Sequence, residues 1–262
     1  MNTSVAEFFR NYAGHRADEG RGLRGEALRA LPYLKFGPFA KQWKVRAKSY
    51  DAFLKHVLFP MEGARALEIL DLGAGNGWLS HRVALRGHKA VALDIRQDDV
   101  DGLGAAREFL RDRPDLFERL IASFDDLPMT SARFDIALFN ASLHYAQDLA
   151  RVLGEATRVI KPGGKLVILD SPFYDSEPDG AAMVAEKRAL GAAKFGSRAD
   201  ILLAPNFIEY LTRDRLEAAT PSLVWSYRHV HYPLWYELRP VLAKLKRART
   251  PSRFGLWTAQ IP

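Results

Sequence analysis

The stretch LDLGAGNGWLS (residues 70–80) places Gly73, Gly75 and Gly77 at alternate positions behind an apolar run. A dinucleotide-binding loop follows G-x-G-x-x-G, and its third glycine would fall on Trp78. A Walker loop needs Gly-Lys-Ser/Thr, which does not follow. The segment still passes from an apolar run into a helical pattern, which puts it at the carboxyl edge where open α/β sheets bind ligands. Glycines there permit positive φ and close backbone approach. Asp71 stands just before the loop, where a carboxylate repels a pyrophosphate but attracts an ammonium or sulfonium. About twenty residues on, KAVALDI (89–95) ends its strand with Asp94, placed to accept hydrogen bonds from a ribose diol. Together the two acids point to a nucleoside that carries no diphosphate.

Outward from this loop, short apolar runs alternate with helical patterns between residues 66 and 171. The runs are ALEILDL (66–72), KAVALDI (89–95), RLIAS (119–123), FDIALFN (134–140) and KLVILDS (165–171). Such alternation predicts parallel strands with crossover helices. The crossovers are GWLSHRVALRG, DDVDGLGAAREFLRD and QDLARVLGEATRVI, and KPGG (161–164) reads as a turn ending the third of them. Further on, TRDRLEAAT (212–220) begins with a threonine cap, and SLVWSYRHV and RFGLWTAQI read as two more strands. YPLWYELRPVLAKLKRA places Leu234, Leu238, Val241, Leu242 and Leu245 on one helical face. The expected fold is α/β, a Rossmann-like, seven-stranded, mostly parallel sheet with helices on both faces.

Two segments lie outside that sheet. Residues 1–60 are expected to form an N-terminal helical cap, with a helix started by Pro38 and Phe39, Trp43, Tyr50, Leu54 and Val57 on its apolar side. The rest, 61–262, is the main domain, interrupted at about 172–211 by a lid insertion carrying Tyr174, Phe195, Phe207 and Tyr210. GHRADEGRGLRG (14–25) reads as a loop.

Composition narrows the function classes. With 48% hydrophobic and 26% charged residues, the chain is of the folded, soluble kind rather than disordered. The absence of cysteine excludes disulfides, thiolate zinc sites and cysteine nucleophiles, and fits a cytoplasmic setting. No apolar run reaches the roughly 18 residues of a membrane span, and no leader pattern opens the chain. The net charge of +7 concentrates only in LAKLKRARTPSR (242–253). That run reads as a solvated helix face, with a polyanion or an anionic membrane surface as the alternative.

In order and spacing, LDLGAGNG, LDI with Asp94, SFDDLP, FDIALFNASLHY and IKPGGKLVILD resemble the class I S-adenosylmethionine-dependent methyltransferases, in the branch acting mainly on small molecules. The resemblance covers residues 66–171 firmly and the last fifty loosely. It implies S-adenosylmethionine as cofactor, with Asp71, Gly73 and Gly75 lining its methionine portion and Asn76 and Gly77 forming the turn into the helix. It also implies Asp94 on the ribose hydroxyls, Ile95 on the adenine, SFDDLP at the adenine edge and Asn140 facing the methionine moiety. Where relatives often carry an adenine-binding aspartate, this chain has Ser123, followed by Phe124 and Asp125. Either Ser123 or Asp125 takes that contact.

Methyl transfer from a sulfonium is a direct displacement, which needs alignment and, for a hydroxyl or protonated amine, a base. His144 is the first candidate base and Tyr145 the next, followed by Tyr174 and Asp175, with packing roles as the alternative. Trp43, Arg46 and Tyr50 share a helix face, from which Arg46 either reaches the cofactor carboxylate or stands in solvent. His229 and His231 alternate on one side of a strand with no third metal ligand in view, so no metal is assigned. The expected partner is a small-molecule acceptor. A nucleic-acid or protein methyltransferase is the alternative raised by the basic charge, though strand four ends in NASL rather than N/D-P-P-Y/F. A catalytically idle cofactor-binding protein is the third reading.

Overall fold

The computed structural model describes residues 3–262, so the first two residues of the expected cap lie outside the described residues. Seven strands, β1 (Glu68–Leu72), β2 (Lys89–Asp94), β3 (Glu118–Ile121), β4 (Phe134–Asn140), β5 (Ile160–Leu169), β6 (Trp225–Arg228) and β7 (Leu256–Gln260), form one sheet. Their order is β3-β2-β1-β4-β5-β7-β6. The pairs among β1 to β5 are parallel, while β7 runs antiparallel to both β5 and β6. β1 leaves toward β2 on one side and the chain later returns to β4 on the other, so the ends of β1, β2 and β4 frame the switch point where such sheets bind ligands.

Strand periodicity sends alternate residues to opposite faces. Leu70, Leu72, Leu93, Ala137, Phe139 and Ile168 share one core with Val152, Leu153, Ala156 and Val159. Ile69, Ala92, Ile136, Leu138 and Val167 share the other with Tyr50, Phe53, Val57, Leu79 and Val83. Burial on both faces explains why IALF (136–139) within β4 is a continuous apolar run rather than an alternating one.

The N-terminal helices are α1 (Thr3–Asp18), α2 (Gly25–Arg29), α3 (Ala40–Phe53) and α4 (Phe59–Met61). Within the sheet follow α5 (Trp78–Ala84), α6 (Arg107–Leu110) and α7 (Leu149–Val159). The insertion folds as α8 (Glu177–Ala189), α9 (Gly191–Phe195) and α10 (Ala199–Leu203), after which come α11 (Arg213–Ala219), α12 (Leu234–Glu237) and α13 (Arg239–Leu245). Thr212 caps α11 by accepting from the Arg215 amide at 3.2 Å. The insertion starts and ends at one stem, where the Tyr174 amide donates to Leu211 O at 2.8 Å and the Leu211 amide to Pro172 O at 2.9 Å.

Four local expectations are corrected. Only Arg107–Leu110 of DDVDGLGAAREFLRD is helical, because the Asp98 carboxylate captures the amides of Val100, Asp101 and Gly102 and holds them in a turn. KPGG lies inside β5: pairing with β4 runs from Phe134–Ile160 directly to Ile136–Lys165, and the extra residues form a bulge in which Gly163 has φ of 78°. The last helix is two short ones broken at Leu238, since the ring of Pro240 does not fit a helix interior. Finally, the first half of GHRADEGRGLRG is helical, with α1 running to Asp18.

At the sheet edge opposite the switch point, buried Asp135 takes Arg65 in a fork at 2.7 and 2.8 Å, the Glu68 amide at 2.8 Å and Lys161 Nζ at 3.3 Å. Burial pushes its carboxyl up, but these donors outweigh it and hold the group down to about 2. This depression is stabilising above its ordinary value of 3.8, and the stabilisation is lost as pH falls toward 2. Asp135→Asn is expected to cost about 1 to 2 kcal/mol in urea unfolding at neutral pH. The gap between the two proteins is expected to close on acidification below 3.8.

Candidate functional site

The glycine loop wraps the end of β2. The amides of Gly73 and Ala74 both donate to Leu93 O, at 2.8 and 2.9 Å, and the Gly75 amide donates to Asp94 Oδ2 at 2.7 Å. Gly73, Gly75 and Gly77 all have positive φ, of 75°, 56° and 76°. Asn76 Oδ1 accepts from the Trp78 amide at 3.2 Å and its Nδ2 donates to Asp101 Oδ1 at 3.1 Å. Trp78 is thus the first residue of α5, buried against Trp43 and Tyr50. The loop is a turn around a strand end, which is why the dinucleotide spacing is not kept.

Above the loop lies a cavity of about 650 Å³, within the usual range for small-ligand sites. Asp71, Gly73, Gly75, Asn76, Asp94, Ile95, Ser123, Phe124, Asp125, Asn140, His144, Tyr145 and Arg46 all line it. Gly77 stands behind the wall, where an added Cβ would come within 3.2 Å of Ala106. Tyr174, Asp175, His229 and His231 are not part of the wall; Tyr174 packs edge-on against Tyr210. Among the described residues, no group of three His, Asp or Glu side chains is arranged to hold a metal ion.

The charges on the wall are unusual. Asp71 is 1% exposed; Oδ2 accepts from Ser80 Oγ at 2.9 Å, while Oδ1 is buried without a partner. Burial pushes its carboxyl up to about 7, opposed by the Ser80 hydrogen bond and reinforced by nearby Asp94. Asp94 is also raised by burial, although the amides of Arg96 and Gly75 stabilise its charge. At the end of β5 stands Asp170, a non-glycine residue at φ of 50°. Its Oδ1 accepts from Ser49 Oγ, which also meets the Tyr232 hydroxyl at 2.9 Å, and its Oδ2 is buried and unpartnered. Burial lifts this carboxyl to about 6 against the pull of Arg46 and Ser49. His144 is held down to about 3 by burial and by the charges of Lys187 and Arg46, so its imidazole is neutral at any working pH.

The roof joins Phe207 of the expected lid to residues of α1 that the sequence did not single out. Val5, Phe9, Tyr12 and Arg16 of α1 face the cavity together with Phe207 from the insertion. Phe8 packs edge-on against Phe207 at 4.9 Å, and the Tyr12 and Tyr145 hydroxyls meet at 2.8 Å. Burial next to Tyr12 holds the Tyr145 phenol well above its ordinary value, so it stays protonated. Arg16 donates to Asp101 Oδ2 at 2.7 Å, latching α1 to the residue that also holds Asn76. Asp170, Asp101, Arg16 and Tyr12 were missed because each becomes part of the site only through long-range packing. For Asp170 alone a local signal existed, an acid ending an apolar strand as Asp94 does.

Residues 70–168 match the methyltransferase domain family. This segment is similar to a methyltransferase domain, and its sheet has the strand order of the class I methyltransferase fold. Over 132 residues it is 31% identical to a malonyl-[acyl-carrier protein] O-methyltransferase of Erwinia pyrifoliae, covering 50% of this chain and 48% of that one. It is 32% identical over 124 residues to a sarcosine/dimethylglycine N-methyltransferase of Halorhodospira halochloris, covering 43% and 40%. The match thus spans under half the length of these curated relatives. The fold of geranyl diphosphate C-methyltransferase from Streptomyces coelicolor superposes over 100% of this chain and 99% of that chain, with a TM-score of 0.61 at 14% identity.

The cavity wall suits a ligand of S-adenosylmethionine's chemistry. An orphaned carboxylate oxygen at Asp71 favours a cation, and Asp94 keeps lone pairs beyond its two amide donors for hydroxyl groups. The loop itself tolerates no side chain at Gly73, where an added Cβ would stand 2.4 Å from Ser142 Cβ at a φ of 75°. Gly73→Ala is expected to lower unfolding stability by at least about 1 kcal/mol, read from urea denaturation; an unchanged midpoint would contradict the packing described.

Proposed function

We propose that the chain binds S-adenosylmethionine in the crevice between Asp71 and Asp94 and catalyses direct methyl displacement onto a small organic acceptor. The observation that carries this reading is that Asp71, a residue of the cavity wall, keeps Oδ1 buried with no partner inside the protein. A ligand ammonium supplies that partner, and at an effective dielectric near 20 the attraction of such a contact pair is on the order of 4 kcal/mol. Asp94 accepts from the ribose hydroxyls, Ile95 packs on the adenine, and Ser123, Phe124 and Asp125 border its edge. Gly73, Gly75, Asn76 and Gly77 shape the turn around the methionine portion, Asn140 faces it, and Arg46 receives its carboxylate. Arg46 lines the cavity with its guanidinium over the Trp43 ring at 5.1 Å, which supports that role.

When bound, S-adenosylmethionine supplies the electrophilic methyl group, and the chain aligns the acceptor and keeps water out. The roof of Phe9, Tyr12 and Phe207 encloses a volume suited to a small acceptor, and relatives named for malonyl-[acyl-carrier protein] and for sarcosine and dimethylglycine support that class. His144 and Tyr145 contribute a neutral imidazole and a protonated phenol to the acceptor wall; an imidazole held near 3 is a weak proton acceptor. Asp170 is the better base, a carboxylate near 6 with a free oxygen on the same wall, and it takes the proton released by an O–H or N–H acceptor.

Calorimetric titration with S-adenosylhomocysteine tests the cofactor assignment. Only ionised Asp71 attracts the ammonium, so affinity is expected to fall as pH drops below about 7, approaching tenfold per pH unit until the bound-state pKa is reached. Asp71→Asn is expected to weaken binding by about tenfold to a hundredfold and to flatten this dependence. Wild-type affinity in that variant would overturn the assignment. Asp170→Asn is expected to retain cofactor affinity while lowering kcat by about a hundredfold or more on an acceptor found by S-adenosylhomocysteine release.

A further inference from the structure

The apolar face of α12 and α13 does not pack into the protein. Leu234, Trp235, Leu238, Val241, Leu242 and Leu245 are between 42% and 76% exposed, and α13 buries no residue at all. Five of them recur at helical spacing and make one continuous ridge. At that spacing Lys244 and Lys246 fall on either side of it, and Arg247 follows at the end of the helix. Within residues 234–249 the sole acid is Glu237, already engaged by the Tyr232 amide at 2.9 Å and by His229 at 3.4 Å. Arg239 is folded inward over the Tyr236 ring, and Arg249 pairs with Glu186.

The ridge is fixed to the cavity rather than loosely appended. Tyr236, on the inner side of α12, is buried against Tyr232 and Phe254, and its hydroxyl accepts from the Phe254 amide at 3.3 Å. Arg239 donates to Ser252 O at 2.8 Å. Ser252 and Phe254 are themselves cavity-wall residues.

We propose that α12 and α13 form an interfacial anchor that docks this face on an anionic lipid surface, bringing the Ser252–Phe254 wall of the cavity beside the lipid. Leucines and a tryptophan on one side with lysines flanking them is the pattern of a helix lying in the headgroup boundary. The basic flanks complement negative headgroups, and their long stems reach past the apolar insertion. A second copy of the chain across a twofold axis brings Lys244, Lys246 and Arg247 against themselves, which disfavours self-association. The face is a ridge, which a deformable surface accommodates without a matching groove. No described helix is long and apolar enough to cross a membrane, so the anchor lies on the surface. The position of the wall suits an acceptor that is itself amphiphilic.

Cosedimentation of the full chain with vesicles tests this. Binding is expected on phosphatidylcholine vesicles containing about 30% phosphatidylglycerol and much weaker binding on phosphatidylcholine alone. Replacing Lys244, Lys246 and Arg247 by alanine is expected to lower the partition coefficient about a hundredfold, roughly fivefold per charge. Leu238→Glu with Leu242→Glu is expected to abolish binding, while affinity for S-adenosylhomocysteine stays unchanged as the check on folding. Three results overturn the proposal: no partition onto anionic vesicles, wild-type partition by the glutamate variant, or equal binding to soluble polyglutamate. The last assigns the face to an acidic protein. None of these outcomes touches the cofactor reading, which rests on a separate titration.

Discussion

A carboxylate with one oxygen satisfied and the other buried bare is the constraint around which this site is arranged. Asp71 is set at the carboxyl end of a strand flanked by strands on both sides, where solvent cannot reach it, and Ser80 on the following helix takes only Oδ2. Leaving a buried polar atom unpaired costs on the order of 1 to 3 kcal/mol, and more when it is charged. The raised pKa is the visible consequence: without a cation the group relaxes toward its neutral form. Because the folded group holds its proton more tightly than the unfolded one, it favours folding below its ordinary value of 3.8 and this contribution fades as pH rises to about 7. The fold accepts that loss at neutral pH, and in the proposed reading the ammonium of the ligand offsets it.

The rest of the structure holds that constraint in place and encloses it. Asp94 ties the glycine loop to β2 through the Gly75 amide, and Asp101 links the same loop to α1 through Asn76 on one side and Arg16 on the other. The roof helix is therefore fastened to the loop it covers. On the β5 side, Asp170 repeats the arrangement of Asp71: one oxygen held by a serine, the other bare. Ala141 and Asp170, at the ends of β4 and β5, both adopt positive φ, an unfavourable conformation for residues with side chains. Backbone strain of this kind collects where a structure must aim groups into a site.

Much of this was legible because local chemistry and global fold agree. The parallel sheet follows from apolar runs buried on both faces, and the loop from Asp71, three glycines and a downstream Asp94 at the right interval. What escaped the sequence is what depends on contacts between distant segments. Asp98 dismantled an expected crossover helix by binding amides that the periodicity assigned to helix. The bulge in β5 absorbed a Pro-Gly-Gly that reads locally as a turn. Roof residues such as Tyr12 and Arg16 sit on a helix with no marked apolar face, and only the fold shows that they reach Tyr145 and Asp101. The leucines of α12 and α13 form the helical face their spacing indicates, but spacing alone does not say whether such a face meets the core or the solvent.

The central claim is that the Asp71 and Asp94 carboxylates read opposite ends of one ligand, an ammonium and a ribose diol. A crystal structure of the chain grown with S-adenosylhomocysteine measures this directly. The account predicts the amino group in hydrogen-bond contact with Asp71 Oδ1 and the ribose hydroxyls on Asp94. A ligand bound with its amino group away from Asp71, or no density in the crevice under saturating ligand, would contradict it.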